Sequence, residues 1–280
     1  MPSTPVRNVS DTARWVAAYR ALESARKDAI FRDHLAERLA GDRGRAIAQL
    51  ASVHNQWALI TRTRVIDDLV AKAVSEGTDC VLNLAAGFDT RPYRLTLPQD
   101  LLWVEADLPA LIEEKEDVLR EETPRCKLVR VPVDLADTAE RAALLQDING
   151  RANRTIVITE GLVIYLETEM VVELARSLAA QPNLKQWIVD FSSPDIVEML
   201  SRSMGSALVH APFKFVATEG VGLFEAQGWQ AEHVLSLAKE ARKLRRLPRW
   251  MHLLALLPQP DPRKTKGRWS VIAQFKRSLS

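Results

Sequence analysis

Five short apolar segments in the middle of the chain constrain the fold most. They are Cys80–Leu84, Leu101–Glu105, Lys127–Val131, Thr155–Thr159 and Gln186–Phe191. Stretches of helical length separate them, among them Pro109–Glu121 and Glu167–Ala180. Short apolar strands that alternate with helices are typical of βαβ units, whose parallel strands are covered by helices on both faces. The sequence therefore predicts an α/β protein with a mostly parallel, Rossmann-like sheet.

The two flanks of this core do not follow the same alternation. From Ser10 to about Ala73, apolar residues recur at helical spacing, which predicts an N-terminal helical layer. In the last third, Pro194–Val209 favours an inserted helix, and Gln230–Leu235 and Trp269–Phe275 favour a hairpin at the sheet edge with an antiparallel final strand. A chain of 280 residues fits one domain. We expect a helical layer at residues 1–78, a core at 79–192, and further helices and closing strands at 193–280.

Charge and cysteine content exclude several classes of partner. The 38 basic and 36 acidic residues give a net charge of +2, so no overall field favours nucleic acid or an anionic membrane. The basic run 241–246 is interpreted as a solvated helix. The two cysteines, Cys80 and Cys126, are too few for a disulfide framework, and no histidine or cysteine spacing indicates a metal site. We expect a small-molecule partner. We also expect no signal peptide, no membrane span and a cytoplasmic location.

A turn with a glycine follows the first predicted strand. In Asn83–Arg91, backbone amides at a strand-to-helix turn can approach a ligand, and Gly87 permits a close contact. The dinucleotide fingerprint G-x-G-x-x-G is incomplete because Ala85 occupies the position of its first glycine. An ordinary conformational turn is the alternative interpretation.

Acidic residues end the next three predicted strands. Asp107 follows Gly87 by twenty residues, where an acid accepts hydrogen bonds from the ribose of an adenosine cofactor. Asp134 is a candidate partner for an adenine amino group, and Glu160 ends the fourth strand. The alternative for Asp107 is a helix N-cap before Pro109, and for Asp134 a cap of the following helix. Because ligands of open α/β sheets bind at this edge, the three acids and the glycine turn together favour a cofactor site.

Two motifs resemble the signatures of the leucine carboxyl methyltransferase family. They are Asn83–Leu95 (NLAAGFDTRPYRL) and Glu105–Pro109 (EADLP), with further similarity at Asp134-Leu135 and at 159–166. The resemblance implies a class I methyltransferase fold that binds S-adenosylmethionine and releases S-adenosylhomocysteine. It also implies an acceptor pocket built by the C-terminal third, where the similarity is weakest.

The same resemblance implies cofactor contacts for specific residues. They are Arg20, Arg62, Gly87, Asp107, Asp134, Leu135 and Glu160. Arg62 would hold the methionine carboxylate, for which the planar guanidinium is suited. A solvated helix face is the alternative for Arg62.

The acceptor determines whether a base is needed. A carboxylate is already ionised, whereas a hydroxyl needs a base, for which Tyr165, His210 and Asp190 are candidates. Tyr165 is also interpreted as a pocket wall and His210 as a structural histidine. We predict an O-methyltransferase that acts on a small molecule, with a carboxyl group favoured over a hydroxyl group.

Other functions stay open at this point. Methylation of a protein C-terminal carboxylate is one of them. A nicotinamide-dependent oxidoreductase would share the sheet, but the glycine fingerprint is incomplete and the chain has no Tyr-x-x-x-Lys pair. A non-catalytic protein that binds an adenosyl ligand is the third. The sequence does not predict the oligomeric state.

Overall fold

The computed structural model describes residues 9–50, 56–204, 211–252, 260–263 and 267–278. The predicted inserted helix begins as expected at Pro194, and its described part ends at Met204. His210 lies outside the described residues.

Seven strands form one sheet in the described part of the chain. They are β1 (Cys80–Leu84), β2 (Leu102–Asp107), β3 (Lys127–Pro132), β4 (Thr155–Thr159), β5 (Leu184–Ser192), β6 (Trp229–Ser236) and β7 (Ser270–Arg277). Their order is β3-β2-β1-β4-β5-β7-β6. The first five strands pair in parallel, and β7 pairs antiparallel with both β5 and β6. The prediction of a parallel sheet with an antiparallel final strand is confirmed, although β7 lies inside the sheet and β6 forms its edge.

Helices cover both faces of this sheet. The helices are α1 (Val9–Ser24), α2 (Ala36–Leu50), α3 (Gln56–Ser75), α4 (Arg91–Arg94), α5 (Pro109–Leu119), α6 (Thr138–Arg151), α7 (Thr168–Ala179), α8 (Pro194–Met204), α9 (Gly222–Glu225) and α10 (Leu237–Lys243). Along β1, Leu82 and Leu84 pack in the cluster formed with α6 and α7, whereas Val81 packs in the cluster formed with α3. Two buried faces explain why β1, β2 and β4 are almost continuously apolar. None of the described helices is long and apolar enough to cross a membrane.

The N-terminal helices pack beside the turn that follows β1. Trp15 and Tyr19 of α1 and Leu39 of α2 share an apolar cluster with Phe88 of that turn. This packing holds α1 over the carboxyl ends of the strands. The division of the chain at residues 78 and 192 stays a prediction.

A buried ion pair joins α1 to the segment after α10. The Glu23 side chain is fully buried, and the Arg246 guanidinium donates to its carboxylate at 2.8 and 3.0 Å. The backbone N–H of Ile30 donates to the same carboxylate at 2.8 Å. Glu23 therefore depends on Arg246 for most of its charge compensation.

We expect Arg246→Met to lower the free energy of unfolding by roughly 3 kcal/mol, because it leaves a buried carboxylate without its main partner. Denaturant unfolding measures the change. The control is Arg242→Met, which removes an exposed arginine of α10 and should change stability by less than about 0.5 kcal/mol. Equal effects of the two substitutions would contradict this account of Glu23.

Candidate active site

A cavity of about 1010 Å³ opens at the carboxyl ends of the strands. It lies where the sheet order reverses, between β1 and β4, with α1 and α3 on its outer side. Crevices at such reversal points are the usual ligand sites of open α/β sheets. Its volume is at the upper end of the range for a single small-ligand site, so there is room for a second, smaller ligand.

The glycine turn after β1 is held by the acid at the end of β2. The Asp107 carboxylate accepts hydrogen bonds from the backbone N–H of Gly87 at 2.6 Å and of Leu108 at 2.8 Å. Gly87 has φ +50°, and even Ala85 has φ +53°, a region that favours glycine. Helix α5 begins at Pro109 with Leu108 as its cap residue, so the N-cap interpretation of Asp107 is wrong.

Burial raises the pKa of Asp107, and the hydrogen bonds from Gly87 and Leu108 offset this only in part. By contrast, the pKa of Glu160 is lowered. Burial alone would raise it, but the charges on Arg91 and Arg62 outweigh burial. The two acids at this edge therefore respond differently to acidification.

Asp134 and Leu135 form the rim beside β3. Asp134 is exposed, and its carboxylate accepts from the backbone N–H of Ala136 at 2.9 Å. The residue that caps α6 is Asp137, which accepts from the amides of Ala139 and Glu140. The cap interpretation of Asp134 is therefore wrong. Both Asp134 and Leu135 line the cavity.

Arg62 of α3 lies against the ends of β4 and β5. Its Nε donates to Glu160 at 3.0 Å and its Nη1 donates to Asp190 at 2.9 Å. The other oxygen of Asp190 accepts from the backbone N–H of Gly161 at 2.6 Å. Gly161 has φ +67°, and a Cβ there would lie 3.2 Å from the Arg62 guanidinium. Arg62 is therefore held inside the cavity, and the interpretation as a solvated helix face is wrong.

Arg20 also lines the cavity but faces the glycine turn. Its Nη2 donates to the carbonyl oxygen of Phe88 at 2.5 Å, and its Nε pairs with Asp33 at 2.8 Å. In the structure Arg20 thus supports the turn from α1.

A buried cluster around Arg91 was not assigned a role from the sequence. Its guanidinium contacts three carboxylates at 2.7 to 2.8 Å, those of Asp67, Asp89 and Glu160. Asp89 also accepts from the Asn83 side chain at 2.8 Å. Asn83, Asp89 and Arg91 all belong to the motif 83–95. The motif marks these residues as a group, but it does not indicate which residues each of them contacts.

The candidate bases differ in availability. Burial raises the pKa of Tyr165, so its phenol stays protonated at neutral pH, and its ring packs against Phe213 with centroids 5.7 Å apart. Both oxygens of Asp190 are occupied by Arg62 and Gly161. Tyr165 therefore serves as a wall of the cavity in this structure.

The model of the leucine carboxyl methyltransferase family matches residues 13–179 of this sequence. The chain belongs to this family. A Frankia alni protein named as an S-adenosyl-L-methionine-dependent methyltransferase is 32% identical over 239 residues, which cover 79% of this chain and 82% of that protein. A Mycolicibacterium smegmatis protein of the same designation is 31% identical over 250 residues, covering 80% and 83%. The methyltransferase is therefore S-adenosylmethionine-dependent, as the motifs implied.

Solved structures support the fold. A Thermobifida fusca protein named as a methyltransferase superposes with a TM-score of 0.61 at 12% identity, covering 99% of this chain and 97% of that one. A DUF574 family protein of Streptomyces avermitilis gives 0.56 at 14% identity, covering 96% and 97%. The predicted class I methyltransferase fold is confirmed.

We expect Gly87→Val to weaken S-adenosylhomocysteine binding at least about tenfold. A side chain at this positive φ is strained, and its Cβ would lie 3.3 Å from Ala13 Cβ on α1. Isothermal titration calorimetry measures the affinity. Gly150→Val, at an open position on α6, is the control and should bind as the unaltered protein does. Normal binding by the Gly87 variant would mean that the turn does not contact the ligand.

A second prediction concerns pH. The pKa of Asp107 is raised, so its carboxylate gains a proton on acidification before an ordinary aspartate does and then loses part of its capacity to accept hydroxyl hydrogen bonds. S-Adenosylhomocysteine affinity should therefore begin to fall at a higher pH than protonation of an ordinary aspartate would cause, whereas protonation of Asp107 does not weaken folding, because a raised native pKa means that the folded state binds this proton more readily. Asp107→Asn should bind more weakly than the unaltered protein at neutral pH and about as strongly at acidic pH, with this pH dependence removed. Calorimetry from neutral to acidic pH tests the unaltered protein and the variant. If Asp107→Asn keeps the original pH dependence, Asp107 is not the group that causes it.

Proposed function

We propose that this methyltransferase transfers the methyl group to an oxygen of a small organic molecule, and that the oxygen belongs to a carboxylate. The observation that carries the proposal is the contrast between the two halves of the cavity. One half holds acidic and basic side chains from several elements, and the other is lined mainly by apolar residues and has no free base among its described residues.

The charged half fits the cofactor by the chemistry of its donors and acceptors. Asp107 supplies an acceptor for ribose hydroxyls, and Asp134 with Leu135 borders the place for adenine. Glu160 supplies an anion for the methionine ammonium group, and Arg62 a cation for its carboxylate. Nη2 of Arg62 makes no hydrogen bond within the described part of the chain, which leaves it available for this ligand. These roles rest on the position of each side chain in the cavity.

The half of the cavity beside β5, β7 and β6 is the acceptor chamber. Its apolar lining residues are Trp57, Ile196, Met199, Leu200, Phe213, Leu237 and Met251, and the polar residues Ser192, Ser236, Arg268 and Ser270 also line the cavity there. Apolar linings of this kind select ligands with apolar bodies. Two of the seven are methionines, whose flexible side chains adapt to ligands of different shapes. We therefore propose an acceptor with an aromatic or aliphatic body.

The nature of the reacting oxygen follows from the bases available. The described residues that line the cavity include no histidine, lysine or cysteine. Glu160 and Asp190 are paired with arginines, and Tyr165 holds its proton at neutral pH. A hydroxyl acceptor has no described group to take its proton, whereas a carboxylate arrives without one. This favours the carboxylate.

S-Adenosylmethionine supplies an electrophilic methyl group on a positively charged sulfur. The task of the protein is then to align the acceptor oxygen and to exclude water. The walls formed by Tyr165 and Phe213 suit both tasks, because they are apolar and packed against each other. The rival functions, hydride transfer with a nicotinamide cofactor and ligand binding without turnover, receive no support from the family to which the chain belongs.

The experiment is methyl transfer from S-adenosylmethionine labelled in its methyl group to matched pairs of acceptors. Each pair shares an aromatic or aliphatic body and differs in carrying a carboxyl or a hydroxyl group. We expect product from the acids, and we expect mild alkali to release the label as methanol, since methyl esters hydrolyse and methyl ethers do not.

Alkali-stable product from the hydroxyl members would overturn the carboxylate assignment while leaving methyl transfer intact. As a control, Leu200→Glu places a charge in the acceptor chamber. It should reduce kcat/KM for the acid at least about tenfold without changing S-adenosylhomocysteine affinity, because burying an unpaired carboxylate beside an apolar ligand is unfavourable. If kcat/KM for the acid and the affinity for S-adenosylhomocysteine fell equally, the chamber would not be separate from the cofactor half.

A further inference from the structure

Arg91 lines the cavity, but its donors are turned to protein partners. It is 1% exposed, and every nitrogen of its guanidinium is engaged. Nε donates to Asp67 at 2.7 Å, Nη1 lies 2.7 Å from Asp89 and 2.8 Å from Glu160, and Nη2 donates to the Thr63 carbonyl oxygen at 3.4 Å. A guanidinium with no free donor is poorly placed to bind a ligand itself. Any effect of Arg91 on a ligand must therefore act through one of its partners.

The partner that faces the ligand is Glu160. Its Oε1 accepts from Arg62, and its Oε2 lies against Arg91. The two arginines thus hold the two oxygens of the carboxylate from different elements, α3 and α4. A carboxylate fixed at both oxygens has one orientation, and its remaining lone pairs point to where neither arginine lies.

We propose that Arg91 is a positioning residue for recognition of the cofactor's amino-acid end, acting by orienting Glu160 toward the methionine ammonium group. This inference rests on the proposed role of Glu160. It adds that the amino-acid end of the cofactor is read by a rigid pair, Glu160 and Arg62, whose geometry is set by an arginine that does not touch the ligand.

The surroundings of Arg91 support a fixed orientation. Asp67 is also held by Arg94, whose Nη1 and Nη2 pair with its two oxygens at 2.6 and 2.7 Å. Asp89 accepts from the backbone N–H of Arg91 at 2.8 Å and from Asn83 on β1. Arg91 is therefore anchored to α3 and to the strand end, and a change in it is transmitted to Glu160. Loss of its charge would also let burial raise the pKa of Glu160.

Arg94 provides a matched control. It lies on the same short helix, pairs with the same Asp67, and has a side chain that is 4% exposed, against 2% for Arg91. It makes no contact with Glu160 among the described residues. Arg94→Met and Arg91→Met each remove one buried arginine from Asp67, and only the second removes a contact of Glu160.

The test compares two ligands by calorimetry on the full-length protein. S-Adenosylhomocysteine has the amino-acid end, whereas 5′-methylthioadenosine retains the adenosine and the sulfur without it. In Arg91→Met, we expect S-adenosylhomocysteine to bind about 10- to 100-fold more weakly and 5′-methylthioadenosine within about twofold of the unaltered protein. Arg94→Met should lower the melting temperature and leave the ratio of the two affinities unchanged. Arg91→Lys, which keeps the charge without the planar fork, should give an intermediate ratio.

Two further measurements separate positioning from a structural role. In a Glu160→Gln background, Arg91→Met should change the ratio by no more than about twofold, because the route through Glu160 is already lost. On acidification, the affinity for S-adenosylhomocysteine relative to that for 5′-methylthioadenosine should fall in Arg91→Met and stay constant in the unaltered protein. The contribution of Asp107 cancels in this ratio because both ligands carry the same ribose.

The outcomes are distinct. An unchanged ratio in Arg91→Met, an equal loss of both ligands, or a full effect that persists in the Glu160→Gln background would each overturn the positioning role. If Arg91→Met does not fold, Arg91→Lys decides by the same ratio. If the unaltered protein binds neither ligand, the proposed function itself fails, which is a different result from normal binding with an unchanged ratio.

Discussion

Pairing of buried charge at the carboxyl edge of the sheet is the constraint on which the other features depend. Four arginines and five acids form two groups there: Arg62, Arg91 and Arg94 pair with Asp67, Asp89, Glu160 and Asp190, and Arg20 pairs with Asp33, which also accepts from Thr90. A charge removed from water is costly unless it is paired and hydrogen-bonded. The two groups include residues of α1, α3, α4 and the ends of β4 and β5, so these elements are stable only in one relative arrangement. The candidate cofactor site is a consequence of that arrangement.

The apolar sheet makes such an edge possible. Because β1, β2 and β4 are buried on both faces, their backbones are rigid, and the residues at their carboxyl ends have defined positions. The reversal of strand order between β1 and β4 then separates the following helices and leaves the crevice between them. The positive φ values of Ala85 and Gly87 occur at this crevice, where the turn is held by Asp107 and Arg20. Backbone strain is thus located where neighbouring charges can compensate for it.

The sequence was informative where a feature is local and uninformative where it depends on distant contacts. Short runs of apolar residues predicted the exact bounds of β1 and β4, and the acids Asp107 and Glu160 at the strand ends do line the cavity. The position of β7 between β5 and β6 depends on pairing across 78 residues, as between Ser192 and Ser270, and leaves no local pattern. The same holds for Arg91, whose partners Asp67 and Glu160 lie 24 and 69 positions away in the chain. A motif can identify such residues as a group without indicating what each of them contacts.

The two halves of the cavity are subject to different physical limits, and this accounts for where the family similarity lies. The match to the family covers residues 13–179, which include every member of the two charged groups except Asp190. Of the seven apolar residues named for the acceptor chamber, Trp57 falls inside that range and the other six fall outside it, while the wall residue Tyr165 lies inside. Replacing one charged residue leaves its partners buried and unpaired, so the charged half tolerates little change. An apolar wall accepts another apolar residue of similar volume at a cost of less than about 1.5 kcal/mol. The chamber can therefore change its acceptor while the cofactor half stays the same, and specificity in this enzyme should be sought in the shape of the chamber.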